Sequence, residues 1–330
     1  MSWLIYFVAV CLALLAADLL VHLVYGYLAL PRFEARPPFR VPPPPHDAQI
    51  PETVRIPTGP GGDLELEGGV YLPQDENPRG LIVFCPETEG SYLTAMNYTP
   101  ALVEAGFAVL SFSFRNQEPS DSQPGYRAMH WFTEHEVEDL HAVLNFVEQM
   151  PQFSGLPIGL FGVSRGAGVA LAGGASRPEV AAIWSQGAFP THGLVVHFSM
   201  KWIEAVTGYW GRFIPRWHVA VTTWFTMRMS EWRNGGRFVR LEPNMAKWQG
   251  RYAMFVCGAR DNYVPSRFAQ DLCRRSRRSL DEGLWVVPHA KHNLEREAAR
   301  EDYDRRVVQF FEQIVPARTV PQPREQAFAG

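Results

Sequence analysis

The chain has no surplus of either charge. Its 31 Lys and Arg stand against 34 Asp and Glu, a net charge of −3, and charged residues make up only 20% of the total. Without a basic stripe or a charge run, nothing in it suits a nucleic-acid partner. Cysteine is scarce, with four in 330 residues, which argues against the disulfide framework of a small secreted domain. Cys11 falls in an apolar run, Cys85 and Cys257 close two strand-like runs that are not expected to be neighbours, and Cys273 sits in a helical stretch. Reduced thiols agree with a cytoplasmic site. No internal repeat is evident.

What is present begins at the N-terminus. Trp3 to Leu30 is apolar except for Asp18, His22 and Gly26. About twenty such residues cross a bilayer at 1.5 Å per residue, so residues 1–30 read as a transmembrane anchor. No Lys or Arg precedes the run and no small-residue cleavage site follows it, which weighs against a signal peptide. Arg32, Arg36 and Arg40 follow the span, and the positive-inside rule then places the rest of the chain in the cytoplasm. Asp18 and His22 are four apart and share a helix face. Two readings stay open for them: a helix-association pair, or neutral groups near the interface. Residues 31–51 carry four consecutive prolines, Pro42 to Pro45, and read as a semi-rigid linker.

Beyond the linker, apolar runs of strand length alternate with amphipathic helical stretches, the pattern of a mostly parallel sheet with helices on both faces. Glu134 to Gln149 is such a helix, with Val137, Leu140, Leu144 and Val147 on one face. A helix is also expected at Pro100 to Ala105 with Thr99 as its N-cap, and a closing helix at Tyr303 to Ile314. Residues 316–330 read as a disordered tail.

The most informative stretch is Gly162-Val163-Ser164-Arg165-Gly166, between the apolar run Ile158 to Phe161 and the small-residue run Ala167 to Ala175. It reads as strand, sharp turn and helix. Side chains two positions either side of the serine are expected to collide with the neighbouring strand or the first helical turn. The serine is thereby held at a helix N-terminus, where unpaired N–H groups face a developing oxyanion.

Downstream, the strand-like run Tyr252 to Cys257 leads into a turn carrying Asp261, and Leu284 to Pro288 leads into His289-Ala290-Lys291-His292. Both deliver their polar groups to the sheet edge that carries Ser164. A hydroxyl is a poor nucleophile at neutral pH, an imidazole takes and returns its proton, and a carboxylate fixes the imidazole tautomer. His292 is preferred over His289 because a short loop lets its ring fold back. Asp261 also suits an Asx-turn or an N-cap near Ser266.

From about Val54 to Val315 the chain resembles the α/β-hydrolase superfamily, in its serine esterase, dienelactone-hydrolase and prolyl-oligopeptidase-like branches. The resemblance rests on the strand pair around Gly61-Gly62-Asp63, on Leu81 to Cys85, on Ser111 to Arg115, on the serine elbow, and on Asp261 and His292. It implies an eight-stranded, mostly parallel sheet and a domain over residues 52–315. It also implies Ser164 as nucleophile, Asp261 as acid, His292 as base, and no metal or organic cofactor. One departure stands out. The family usually has His-Gly after the third strand, and here the text is Pro86-Glu87-Thr88-Glu89-Gly90. Proline has no N–H to give, so Glu87 or Thr88 is expected to supply one oxyanion donor and Arg165 the other, all from the backbone. The glutamates are read as surface residues of the loop, the alternative being that they pair with Arg115 or Arg165.

Residues 191–249 break the alternation and read as a helical cap between the sixth and seventh strands. Six of the chain's ten tryptophans lie there. Trp210, Trp217 and Trp224 are seven apart, a spacing that stripes one helix face. They are read as cap core, as the wall of an apolar acyl pocket that binds substrate, or as a patch at the membrane interface. The expected protein is a membrane-anchored serine hydrolase of carboxylic esters or thioesters, acting on a small-molecule or lipid-like substrate. An acyltransferase on the same triad and a non-catalytic membrane-anchored interaction protein are the alternatives.

Overall fold

The structure is a computed structural model and describes residues 2–36 and 41–316. The expected tail therefore lies outside the described residues from 317 onward, as do residues 37–40 of the linker.

Eight strands make one sheet: β1 (Glu52–Thr58), β2 (Leu64–Tyr71), β3 (Leu81–Cys85), β4 (Ala108–Phe112), β5 (Ile158–Val163), β6 (Val180–Gln186), β7 (Tyr252–Gly258) and β8 (Leu284–Val287). Their spatial order is β1-β2-β4-β3-β5-β6-β7-β8, with β2 antiparallel to β1 and β4 and the rest parallel. The helices are α1 (Ser2–Phe33), α2 (Pro100–Glu104), α3 (Glu134–Glu148), α4 (Arg165–Gly174), α5 (Thr191–Thr207), α6 (Arg216–Asn234), α7 (Ser266–Arg275), α8 (Leu280–Gly283), α9 (Glu295–Ala298) and α10 (Arg300–Glu312). This is the α/β-hydrolase fold with a helical insertion between β6 and β7 and an apolar N-terminal helix.

The central strands read as unbroken apolar runs because both sheet faces are covered. Every residue of β3, β4 and β5 is buried. On one face Leu140, Val143 and Leu144 of α3, the alanines of α4 and Leu272 of α7 close over Val83, Leu110 and Leu160. On the other, Leu102 of α2 and Tyr303, Val307 and Phe311 of α10 close over Ile82, Phe84 and Phe161. A reciprocal capping box of Thr133 and Glu136 starts α3. Thr99, expected as a capping side chain for α2, instead turns its hydroxyl back to donate to the Ala95 carbonyl at 2.9 Å.

Arg115, just past β4, is fully buried and tied to Asp139 of α3. Asp139 accepts from the Arg115 main-chain N–H at 2.9 Å, from its Nε at 2.7 Å and from the Thr58 hydroxyl at 3.0 Å. This joins β1, β4 and α3 below the sheet edge that carries the loops.

Helix α1 is longer than the expected anchor and runs past Pro31 to Phe33. Proline sits there in the last turn, where the helix ends in any case. Residues 3–10 and 12–21 are all exposed, and burial begins at one stripe of His22, Gly26, Leu30 and Phe33. That stripe lies along α6. His22 Nδ1 is 2.8 Å from the Thr222 hydroxyl, His218 Nε2 is 3.0 Å from Asp18, and Thr226 Oγ1 donates to the Gly26 carbonyl at 3.2 Å. At the far end Glu34 accepts from Ser230 and from Asn234, both at 2.9 Å. Asp18 and His22 thus both meet α6, the kind of contact that the helix-association reading expects.

Asp139→Ala strips the buried Arg115 guanidinium of its fully buried carboxylate and leaves it the half-exposed Glu138 at 3.4 Å. The expected loss is about 3–5 kcal/mol of unfolding free energy, read from denaturant melts against the parent chain.

Candidate active site

The elbow is built from backbone contact. A Cβ at Gly166 would lie 2.1 Å from the Cys85 carbonyl oxygen and 2.4 Å from that of Pro86. A Cβ at Gly162 would lie 2.5 Å from the Ala167 Cα in the first turn of α4. Glycine at both places lets α4 rise against the ends of β3 and β5. Ser164 between them takes φ 52° and ψ −113°, a region that non-glycine residues rarely occupy. Its N–H donates to the Gln186 carbonyl at 2.7 Å, which pins the strained residue to the end of β6.

Ser164 Oγ lies 2.9 Å from His292 Nε2, and His292 Nδ1 lies 2.6 Å from Asp261 Oδ2. A carboxylate at that distance favours the tautomer with its proton on Nδ1, which leaves Nε2 free to accept from the serine hydroxyl. Asp261 has a second task. Its Oδ1 accepts from the N–H groups of Tyr263 at 2.8 Å and Val264 at 2.7 Å. The Asx-turn and the imidazole contact are thus two halves of one carboxylate. His289, the less favoured histidine, is exposed at φ 63°. The three expected residues come together, although Asp261 lies 97 positions beyond Ser164 in the chain.

The loop after β3 differs from expectation in one respect. Glu89 is exposed and pairs with Arg36 at 3.2 Å, neither with Arg115 nor with Arg165. Glu87 is not a surface residue: it is 2% exposed and accepts from the Tyr98 hydroxyl at 3.0 Å. Its carboxyl turns inward because Gly90, Thr94 and Tyr98 form a niche behind the loop. Burial pushes that carboxyl up to about 7, and its own main-chain N–H lies against it. The side chain of Arg165 is also buried, donating to the Met129 carbonyl at 2.8 Å and to Gln117 at 2.7 Å, with Glu136 3.6 Å away. Elbow and surrounding loops are locked together by that side chain, while the Arg165 N–H opens α4 at the serine.

Trp210, Trp217 and Trp224 do not form a single helical stripe. Trp210 belongs to a short 3-10 turn, Gly208–Phe213, separated from α6 by Pro215. All three are at least half exposed, so none is cap core. The aromatic cluster near His292 has other members: Phe33, Trp131, Phe189, Phe238 and Phe268, with the Tyr263 ring tilted against the His292 ring at 5.3 Å between centroids. Trp131 Nε1 donates to the Phe33 carbonyl at 2.9 Å, so the end of α1 is part of this wall. No periodicity marks these residues, which come from five segments.

Sequence reasoning also missed the layer beneath Ser164 and His292. Glu295 of α9 is fully buried and accepts from Gln186 Nε2 at 2.6 Å, while Tyr303 donates to Gln186 Oε1 at 2.5 Å. Gln186 is the residue whose carbonyl holds the Ser164 N–H. Burial, with the nearby charge of Asp261, pushes the Glu295 carboxyl up to about 8.

Sheet order, elbow and edge placement define the α/β-hydrolase class. A model of the Alpha/beta hydrolase family matches residues 82–308, and the chain belongs to that family. An esterase of Pyrococcus furiosus superposes with a TM-score of 0.57 at 19% identity, over 84% of this chain and 98% of that one. Est1E of Butyrivibrio proteoclasticus with ferulic acid bound gives 0.55 at 15% identity, over 80% and 100%. Likeness at this identity shows the fold. In sequence, a Mycobacterium tuberculosis protein described as a putative phosphoribosyl transferase is 33% identical over 142 residues, 42% of this chain. The chain spans 30% of that protein's length.

Glu295 titrates near 8 when folded and near 4.5 in the open chain. The folded state then holds one more proton between those values, so its contribution to stability is complete below about 4.5 and is lost as pH rises to 8. Glu295→Gln cannot ionise, and its melting temperature should fall less than that of the parent chain between pH 5 and pH 8. Parallel slopes would refute the assignment.

Proposed function

We propose that the chain is a membrane-anchored serine hydrolase of carboxylic esters or thioesters, with Ser164, His292 and Asp261 as its triad. The observation that carries this reading is the unbroken contact from Ser164 Oγ through the imidazole to Asp261, at 2.9 and 2.6 Å. Ser164 attacks the substrate carbonyl carbon as its proton passes to His292 Nε2. The tetrahedral oxyanion collapses, the bond to the leaving oxygen or sulfur breaks, and the leaving group takes that proton from His292. Water then attacks the acyl-enzyme, gives a proton to His292, and the acid departs as Ser164 regains its hydrogen. The Arg165 N–H is one oxyanion donor. Thr88 is preferred to Glu87 for the other, because the Glu87 N–H faces its own carboxyl. Burial shifts the inward-turned Glu87 carboxyl towards its neutral form, which lessens the negative charge beside the oxyanion.

Residues 52–315 form the hydrolase domain in this reading, with 191–249 as its cap. Helix α1 is the anchor. Its residues 3–10 and 12–17 are exposed, as a lipid-facing segment would be. Its second half is bound to α6 by buried polar contacts, which favours a retained helix over a removed signal. Arg32 and Arg36 beyond the span favour a cytoplasmic domain.

The test is labelling of the full chain with a fluorophosphonate. The parent should label, Ser164→Ala should not, and Asp261→Asn should lower ester turnover about 10³- to 10⁴-fold. A folded parent chain that fails to label would overturn the reading. Product analysis with added alcohols and amines separates hydrolysis from acyl transfer.

A further inference from the structure

Among the described residues, nothing covers the tip of the hairpin formed by α5, the 3-10 turn and α6. Lys201, Trp202 and every residue from Glu204 to Trp210 are exposed. Six large apolar side chains stand out there: Trp202 at 65%, Val206 at 64%, Tyr209 at 60%, Trp210 at 74%, Phe213 at 61% and Trp217 at 62%. A soluble domain rarely leaves so many large apolar side chains bare in one short segment.

The seam between α1 and α6 fixes where this tip lies. Asp18 meets His218, His22 meets Thr222, Gly26 meets Thr226 and Glu34 meets Asn234, so the helices run parallel with each α1 residue beside the one numbered 200 higher. A bilayer core of about 30 Å takes roughly twenty helical residues, from Trp3 to the neighbourhood of His22. Arg216, at the start of α6, is level with position 16, about 9 Å inside that boundary at 1.5 Å per residue. Interfacial elements seat their apolar faces about 5–10 Å deep.

The tip carries side chains that favour the lipid boundary or reach back to it. Tryptophan and tyrosine favour the headgroup level, and long basic side chains reach back to it. Lys201, Arg212 and Arg216 are exposed there against Glu204, and the Arg212 guanidinium lies 4.2 Å over the Tyr209 ring. This excess of positive charge suits anionic headgroups. The acid at this depth on α1, Asp18, is engaged by His218 at 3.0 Å and His22 at 3.5 Å.

We propose that the α5–α6 hairpin is a second membrane element, seated in the near leaflet of the bilayer that α1 crosses. The proposal rests on the anchor reading of α1. The domain is then held at two points and cannot swing on its linker, and its aromatic wall, closed by Phe33 at the end of α1, is held close to the lipid surface.

The test uses the full chain in vesicles of phosphatidylcholine and phosphatidylglycerol. A bimane label is placed singly through Phe213→Cys, Trp217→Cys, Leu14→Cys or Trp232→Cys, in a Cys11→Ala background. Cys85, Cys257 and Cys273 are buried and stay unlabelled. Trp232, 88% exposed and level with position 32, is the control outside the membrane. Labels at 213, 217 and 14 should be quenched by doxyl lipids and lose most of their quenching by aqueous iodide, while the label at 232 shows the reverse. Iodide access at 213 and 217 with 14 still shielded overturns the hairpin proposal and leaves the anchor standing. Iodide access at 14 overturns both. Shielding of 213 and 217 from both quenchers means that another copy of the chain covers the tip, and this too overturns the proposal.

Discussion

The active region depends on backbone pressed against backbone where α4 meets the end of β3. With 2.1 Å between a would-be Cβ at Gly166 and the Cys85 carbonyl oxygen, no side chain fits there without displacing main chain. That closeness forces the chain to turn within one residue, and Ser164 takes the strain at φ 52°. Backbone conformations of this kind cost on the order of 1–3 kcal/mol. They persist because the surroundings over-determine them: the Gln186 carbonyl holds the serine N–H, the buried Arg165 side chain grips two loops, and a fully buried α4 packs below. The hydroxyl is therefore presented at one place, and the loops after β7 and β8 need only bring their groups to it.

Much of this was legible in the residues. The apolar runs Ile158 to Val163 and Tyr252 to Gly258 announce buried strands, since parallel strands covered on both faces have no alternation to lose. Polar residues following such runs arrive at the same sheet edge, which is why Ser164, Asp261 and His292 were readable in chain order. The inward turn of Glu87 and the burial of Glu295 were not. A carboxylate in a loop reads as surface, because an ionised carboxylate is costly to bury. Both escape that rule by sitting in niches where burial favours the protonated form. Those niches are made by Tyr98, Gln186 and their neighbours, residues distant in the chain.

The anchor and the insertion show a similar division. Apolar length identified α1 without any tertiary contact. Asp18 and His22 invited two readings, and their partners on α6 lie 200 positions away. The three tryptophans spaced by seven suggested one helix face, yet a 3-10 turn and Pro215 part the first from the other two. Spacing says which residues share a face only when one helix runs through all of them.

The sequence by itself determined the order of strands and helices, the apolar span, the elbow and the identity of the three polar groups at the sheet edge. These follow from local periodicity and from the steric needs of glycine, both of which act over a few residues. Tertiary structure alone decided which acids are buried, which aromatic rings gather near His292, and that α1 lies along α6 in a fixed register. Each of those depends on contacts between segments far apart in the chain, and such contacts leave no repeat or spacing in the string of residues.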